Sequence, residues 1–149
     1  MAINPDYAGR AYPATEPYEV SRVKIAEFAD AIGDPSPVYR DAAAARAAGH
    51  RDIIAPPTFA FVISWRGSQA AISDPGLGLN YAMVVHGEQR FEYARPIMAG
   101  DVVTAQSTIS DIRAVGSLSM LTTRTEIATV AGEHVCTALS TLVERGASV

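Results

Sequence analysis

Apolar and polar positions follow two different periods along this chain. In its first half, Ile25, Phe28, Ala29 and Ile32 recur at steps of three and four, which places them on one face of a helix over Arg22 to Ile32. Ser21 stands at the N-cap of that helix, and Gly33 stops it by reaching the left-handed conformation without a Cβ penalty. Tyr18 to Val20 reads as a short strand before it. Asp34-Pro35-Ser36-Pro37 must be an irregular turn, because each proline restricts its predecessor and donates no backbone hydrogen. Asp41 to Ala48 then reads as a short alanine-rich helix with an Asp cap, closed by Gly49.

Pro56-Pro57-Thr58 opens a third helix, since proline is tolerated in a first turn. From Thr58 to about Ile72 the apolar residues Phe59, Phe61, Val62, Ile63, Trp65, Ala70 and Ile72 lie around most of the circumference. That pattern predicts a helix surrounded by protein. After Asn80 the period changes. Met83 to Tyr93, Val102 to Ile112, Ser117 to Thr129 and His134 to Glu144 are rich in Val, Ile, Thr and aromatics, with Gly116 and Ala131-Gly132 at tight turns. The last run alternates through Val135, Thr137, Leu139, Thr141 and Val143, whereas Ser117 to Thr129 changes phase midway, the signature of a bulge. One enclosed helix followed by long antiparallel strands predicts an α+β hotdog fold, an antiparallel sheet wrapped around a long central helix.

Composition narrows the function classes. The 149 residues fit a single domain over 1–149, with its core at about 15–145. Twelve Lys and Arg against sixteen Asp and Glu leave a net charge of −4, without the basic footprint of a nucleic-acid binder. The single cysteine, Cys136, fits a reducing cytoplasm and reads as a small buried hydrophobe. Met1 to Arg10 lacks the pattern of a signal peptide, and the most apolar stretch, Ile53 to Trp65, is too short and proline-broken for a membrane span. The three histidines have no metal-ligand spacing, so neither a metal nor a cofactor is expected.

Three stretches, in order, carry a resemblance. They are Ala31-Ile32-Gly33-Asp34-Pro35-Ser36-Pro37-Val38-Tyr39-Arg40-Asp41, then Ile53-Ile54-Ala55-Pro56-Pro57-Thr58-Phe59, and His86-Gly87-Glu88-Gln89-Arg90-Phe91 running into Arg95-Pro96 and Gly100-Asp101. The chain resembles the MaoC-like (R)-specific enoyl hydratases and dehydratases, above all the N-terminal-type domains that include companion subunits of heterodimeric (3R)-hydroxyacyl-ACP dehydratases. In that family the first motif reads Gly-Asp-x-Asn-Pro-x-His, and the Asp and His divide the acid–base work of removing a C2 proton and protonating the departing hydroxyl. Histidine suits such work because its free pKa of ~6.5 permits both protonation states near neutrality. The resemblance also implies a backbone N–H at the start of the central helix, aimed at the thioester oxygen as in an oxyanion hole.

The chain departs from the family at these points. Asp34 is retained as the catalytic candidate, but Ser36 stands at the Asn position and Tyr39 at the His position. A phenol with a free pKa of ~10 is a poor base at neutrality. Pro57 falls where the family has a glycine, and it has no N–H to donate. The resemblance therefore implies a substrate-binding subunit of a 3-hydroxyacyl thioester dehydratase beside a MaoC-like catalytic hotdog subunit, with acyl-ACP or acyl-CoA as substrate. The alternative is a homodimeric acyl-thioester-binding module without chemistry. A thioesterase would need an acidic residue on the central helix, and Thr58 to Ile72 contains none.

Each candidate residue also has a structural reading. Asp34 suits an Asx turn before Pro-Ser-Pro, and Tyr39 suits a pocket or interface side chain. Phe59, Phe61 and Trp65 are expected either to line an apolar acyl channel or to fill core. His86 and Glu88, two apart on a predicted strand, should share a face, as a structural pair or as a contact with a partner subunit. Arg40, Arg46 and Arg51 flank the helix entrance, as attractors of a carrier's phosphates or as a solvated face.

Overall fold

A computed structural model of the chain describes residues 3–146. The first helix, α1 (Arg22–Ala31), starts where the Ser21 side chain accepts from the Lys24 N–H at 3.1 Å. The second, α2 (Ala42–Ala47), starts where Asp41 accepts from the Ala43 N–H at 2.8 Å. Both caps satisfy donors that have no partner inside the first turn. The central helix, α3 (Ala60–Ile72), is entered through a 3-10 turn over Pro57–Phe59.

Five strands form one antiparallel sheet: β1 (Tyr18–Glu19), β2 (Val84–Tyr93), β3 (Val102–Val115), β4 (Leu118–Thr129) and β5 (His134–Arg145), in the spatial order β1-β3-β4-β5-β2. On the β1 side, residues 9–15 run on along β3. Tyr12 N–H donates to the Ser107 carbonyl and Thr15 N–H to that of Ala105, each at 2.9 Å. The far edge of β2 has no strand beside it among the described residues.

The sheet curls over α3, and the contact is made by small groups on both sides. The helix buries Ala60, Ile63, Ser64, Gly67, Ser68 and Ala71, while Arg66, Gln69 and Ala70 are exposed. The helix expected to be surrounded is therefore enclosed by its own chain on one face only. At Gly67 the helix lies so close to the sheet that an added Cβ would stand 3.0 Å from Ala105 Cβ and from Thr125 Cγ2. Beneath it the Ser107 and Thr125 hydroxyls hydrogen-bond each other, so the buried polar pair is satisfied. On β5 the residues turned toward α3 are Cys136, Ala138 and Leu142, whose partners on β4 are Ile127, Thr125 and Leu121. Of the alternating set, Thr137, Leu139, Thr141 and Val143 stand on the opposite face, whereas Val135, the inserted residue, is buried in the same core cluster as Cys136.

Irregularities in the ladder fall at positions other than the expected one. The pairing shifts between His86 and Glu88 on β2, between Ile109 and Asp111 on β3, and opposite Ile127/Ala128, where the extra residue, Val135, lies on β5. β4 itself runs through without an inserted residue, so its phase change is not a bulge of its own. Substituting Gly67→Val should overpack the helix–sheet contact and lower the free energy of unfolding by about 1–3 kcal/mol. Urea denaturation measures it, and an unchanged midpoint would mean that the sheet yields at Ala105.

Candidate functional site

The entrance of α3 is built by short-range backbone pairing. Ala55 N–H donates to the Ile97 carbonyl at 2.7 Å, and Ala99 N–H to that of Ile53 at 3.0 Å, so the segment before the helix lies against the loop between β2 and β3. Ile54 N–H donates to the Val38 carbonyl at 3.1 Å, which brings up the 3-10 turn of Pro37–Tyr39. That loop is held by charge: Arg95 forks onto Asp101 with contacts of 2.8 and 3.0 Å and also bonds Glu133. Asp101 is buried and accepts the Met98 N–H at 2.8 Å as well. A fork of parallel charge-assisted bonds fixes orientation as well as distance.

These elements enclose a cavity of about 380 Å³, lined by Tyr39, Ile54, Ala55, Pro57, Tyr93, Ala94, Arg95 and Pro96. Its walls are mainly apolar, and the size suits a small-molecule segment. Tyr39 and Pro57, the positions of the absent histidine and of the absent donor, thus meet in one cavity. Burial, then the nearby Asp34 charge, pushes the Tyr39 hydroxyl above the ordinary tyrosine pKa. Asp34 accepts from the Ser36 N–H at 3.0 Å, the geometry of an Asx turn. Tyr93 donates its hydroxyl to the Pro57 carbonyl, and burial, then the adjacent Cys136, raises its pKa strongly.

The other candidates separate into three places. Phe59 is fully buried, edge-on to Phe28 with ring centroids 5.4 Å apart, and belongs to the core rather than to the cavity wall. Phe61 stacks on Trp65 at 5.8 Å and lies 5.7 Å from the His86 ring, while Trp65 reaches Tyr81 at 6.4 Å. The group flanks α3 beside β2, with Phe61 and Trp65 half-buried and Tyr81 and His86 exposed. Glu88 lies on the other face of the sheet, which corrects the expected same-face pair. With Gly87 inserted, His86 sits opposite Leu142 and Glu88 opposite Thr141, so one residue of slip turns the two side chains apart. A Cβ at Gly87 would come within 2.8 Å of Val143 Cγ2. His86 Nε2 instead contacts the Glu88 carbonyl at 3.1 Å and Ser140 Oγ at 3.3 Å.

Of the three arginines, Arg40 is bound to Asp30 at 2.6 Å and Arg51 lies 3.6 Å from Asp101. Tyr93, Ile54 and Ala94 escaped the sequence reading as wall residues. The signal for Tyr93 was its place two residues beyond Phe91 on the inward face of a strand. Among the described residues no cluster of three His, Cys, Asp or Glu side chains is arranged to hold a metal ion, and no helix is long and apolar enough to cross a membrane.

A curled antiparallel sheet around a central helix, with a pocket at the helix entrance, defines a hotdog protein of the MaoC-like hydratase and dehydratase class. Residues 6–138 match the FAS1-like, dehydratase domain region, and the chain belongs to that family. A solved MaoC-like dehydratase superposes with a TM-score of 0.87 at 31% identity over 95% of this chain, which spans 43% of that longer one. The C-terminally truncated HadBC (3R-hydroxyacyl-ACP dehydratase) complex of Mycobacterium tuberculosis gives a TM-score of 0.81 at 26% identity, covering 93% of this chain and 97% of that one. A UPF0336 protein of Thermobifida fusca is 60% identical over 146 residues, 98% of this chain and 96% of its own length.

Two buried acids outside the cavity wall, Cys136 beside Tyr93 and Tyr12 in the cluster around Leu77, set an alkaline limit. Burial pushes the Cys136 thiol up to about 11, and burial with the Asp74 hydrogen bond pushes Tyr12 up to about 12. Each folded value lies above the unfolded one, near ~8.5 for a thiol and ~10 for a phenol. Their contribution is therefore complete below about pH 8.5 and is lost as pH rises through 11 to 12. The urea midpoint should be flat from pH 7 to 8.5 and fall steadily above it, and Cys136→Ala should remove the earliest part of that fall.

Proposed function

We propose that this chain is the substrate-binding, non-catalytic subunit of a (3R)-hydroxyacyl thioester dehydratase. It works in the cytoplasm on acyl chains carried by ACP or CoA, in fatty-acid or polyketide-type elongation. The observation that carries this reading is the cavity of about 380 Å³ whose walls pair Tyr39 with Pro57 and Tyr93. It has the room and the apolar lining for part of an acyl thioester, yet none of its lining residues titrates near neutrality. Dehydration removes a proton from C2 and the hydroxyl from C3 as water, leaving a C2–C3 double bond. It needs a base and an acid in turn, and two phenols whose pKa values are raised stay protonated at pH 7, so neither accepts the C2 proton.

A second hotdog chain with an intact Asp–His pair is the partner that completes the reaction. The open edge of β2, the half-buried Phe61 and Trp65 and the exposed His86 beside it form one margin, suited to receive such a chain. The HadBC and ChsH1–ChsH2 complexes of Mycobacterium tuberculosis share the fold and support a hotdog partner. The same margin can also receive a second copy of this chain, since an antiparallel edge can pair with its own two-fold image. That arrangement is the homodimeric acyl-thioester-binding module.

Hydration of crotonyl-CoA, followed by loss of enoyl absorbance, separates these readings. Activity is expected only when the chain is mixed with a MaoC-like chain carrying the Asp–His motif, and above that of the partner alone. Turnover by this chain alone at ordinary enzyme rates would refute the proposal. A stable homodimer that leaves its partner's rate unchanged would favour the binding module. Tyr39→His alone should remain at least ~10²-fold below an active MaoC-like chain, because Pro57 still withholds a backbone donor whose loss costs that much elsewhere.

A further inference from the structure

Beneath the stacked rings of Phe61 and Trp65, the packing between α3 and the sheet turns polar. Ser64, Ser68, Gln89, Thr123, Thr125 and Ser140 converge there on a cavity of about 10 Å³. Helix, β2, β4 and β5 all contribute, at a depth where aliphatic side chains would ordinarily close the space.

The hydrogen-bond inventory shows what this crevice lacks. Gln89 Nε2 donates to the Leu139 carbonyl at 3.1 Å. Turning the amide over would set Oε1 against that carbonyl, acceptor against acceptor, so the orientation is fixed. Gln89 Oε1 is then buried with no hydrogen-bond partner among the described residues. Ser64 Oγ donates to the Phe61 carbonyl at 3.3 Å and Ser68 Oγ to that of Trp65 at 3.1 Å, so both turn lone pairs outward. The Thr125 hydroxyl shares its bond with Ser107, and Ser140 Oγ lies 3.3 Å from His86 Nε2. No carboxylate lines the crevice, so a bare cation would find no counter-charge there.

We propose that the crevice under Phe61 and Trp65 is the binding site of one structural water, which donates one hydrogen to Gln89 Oε1 and the other to the Ser64 or Ser68 hydroxyl. About 10 Å³ is the room one water needs, and a buried water commonly makes about three hydrogen bonds to groups otherwise left unpaired. One consequence rests on the acyl-thioester reading given above. A saturated tail that pushed past Phe61 and Trp65 would expel this water and leave Gln89 Oε1 facing methylene groups. The polar floor is therefore a stop for an alkyl chain, and Gln89 is the residue that sets it.

A crystal structure of the full chain at about 1.5 Å should show one isolated density peak at ~2.6–3.2 Å from Gln89 Oε1. A featureless crevice, or continuous density from a larger molecule, would overturn the proposal. Gln89→Leu provides a second readout in solution. It removes both the acceptor the water needs and the bond to the Leu139 carbonyl, so the melting temperature should fall by about 2–8 °C. In a dry crevice the same change would relieve an orphaned acceptor, and an unchanged or raised melting temperature would sink the idea. The stop is tested with decanoyl-CoA: the water should persist in the complex, and a tail occupying the crevice refutes it. Absence of any decanoyl-CoA binding would count against the acyl-thioester reading, leaving the water site intact.

Discussion

The closest approach between layers, Gly67 of α3 against Ala105 and Thr125 of the sheet, sets the terms for everything around it. A helix can lie this near a curled sheet only where both present small groups. The facing residues are accordingly Ala60, Ser64, Gly67 and Ala71 on one side and Ala105, Ser107 and Ala138 on the other. Such a seam has no volume to spare for a ligand. Bulk is displaced to its margins, with Phe59 filling the core at the helix entrance and Phe61 and Trp65 pushed out to the flank along β2. Room for a substrate therefore opens at the end of the helix, where the chain enters through Pro57, and not along its length.

That end is made rigid by means independent of the seam. Arg95, Asp101 and Glu133 tie the loop after β2 to the hairpin between β4 and β5, while Tyr93 clasps the Pro57 carbonyl from the last turn of its strand. The pairing of residues 53–55 with 97–99 joins the two. Rigid walls with few polar groups suit the binding of an apolar segment.

Local signals carried most of the architecture. The caps at Ser21 and Asp41, the glycines after the helices and the runs of β-branched residues lie in short windows, and the elements they predict are present within a few residues. What the sequence could not show depended on register. Gly87 looks like any strand residue until its partner strand is known, yet it is the residue that sends His86 and Glu88 to opposite faces. The apolar circumference of the central helix was read correctly as composition but not as environment, because α3 is enclosed on one face and bare on another. Tyr39 and Pro57 were legible as departures from a motif. That they share a cavity with Tyr93 required the tertiary pairing that brings three distant segments together.

The two margins of the sheet differ in a way that limits what the molecule can build. Residues 9–15 lie along β3 and shield one side, while β2 leaves the other available. A sheet with both margins free can add neighbours without end, as fibrils do. Among the described residues β2 is the long edge strand, so a neighbour added along it would use up the ladder that a second would need there. The N-terminal segment thus acts as a selvedge, binding off the β3 side of the sheet with hydrogen bonds of its own.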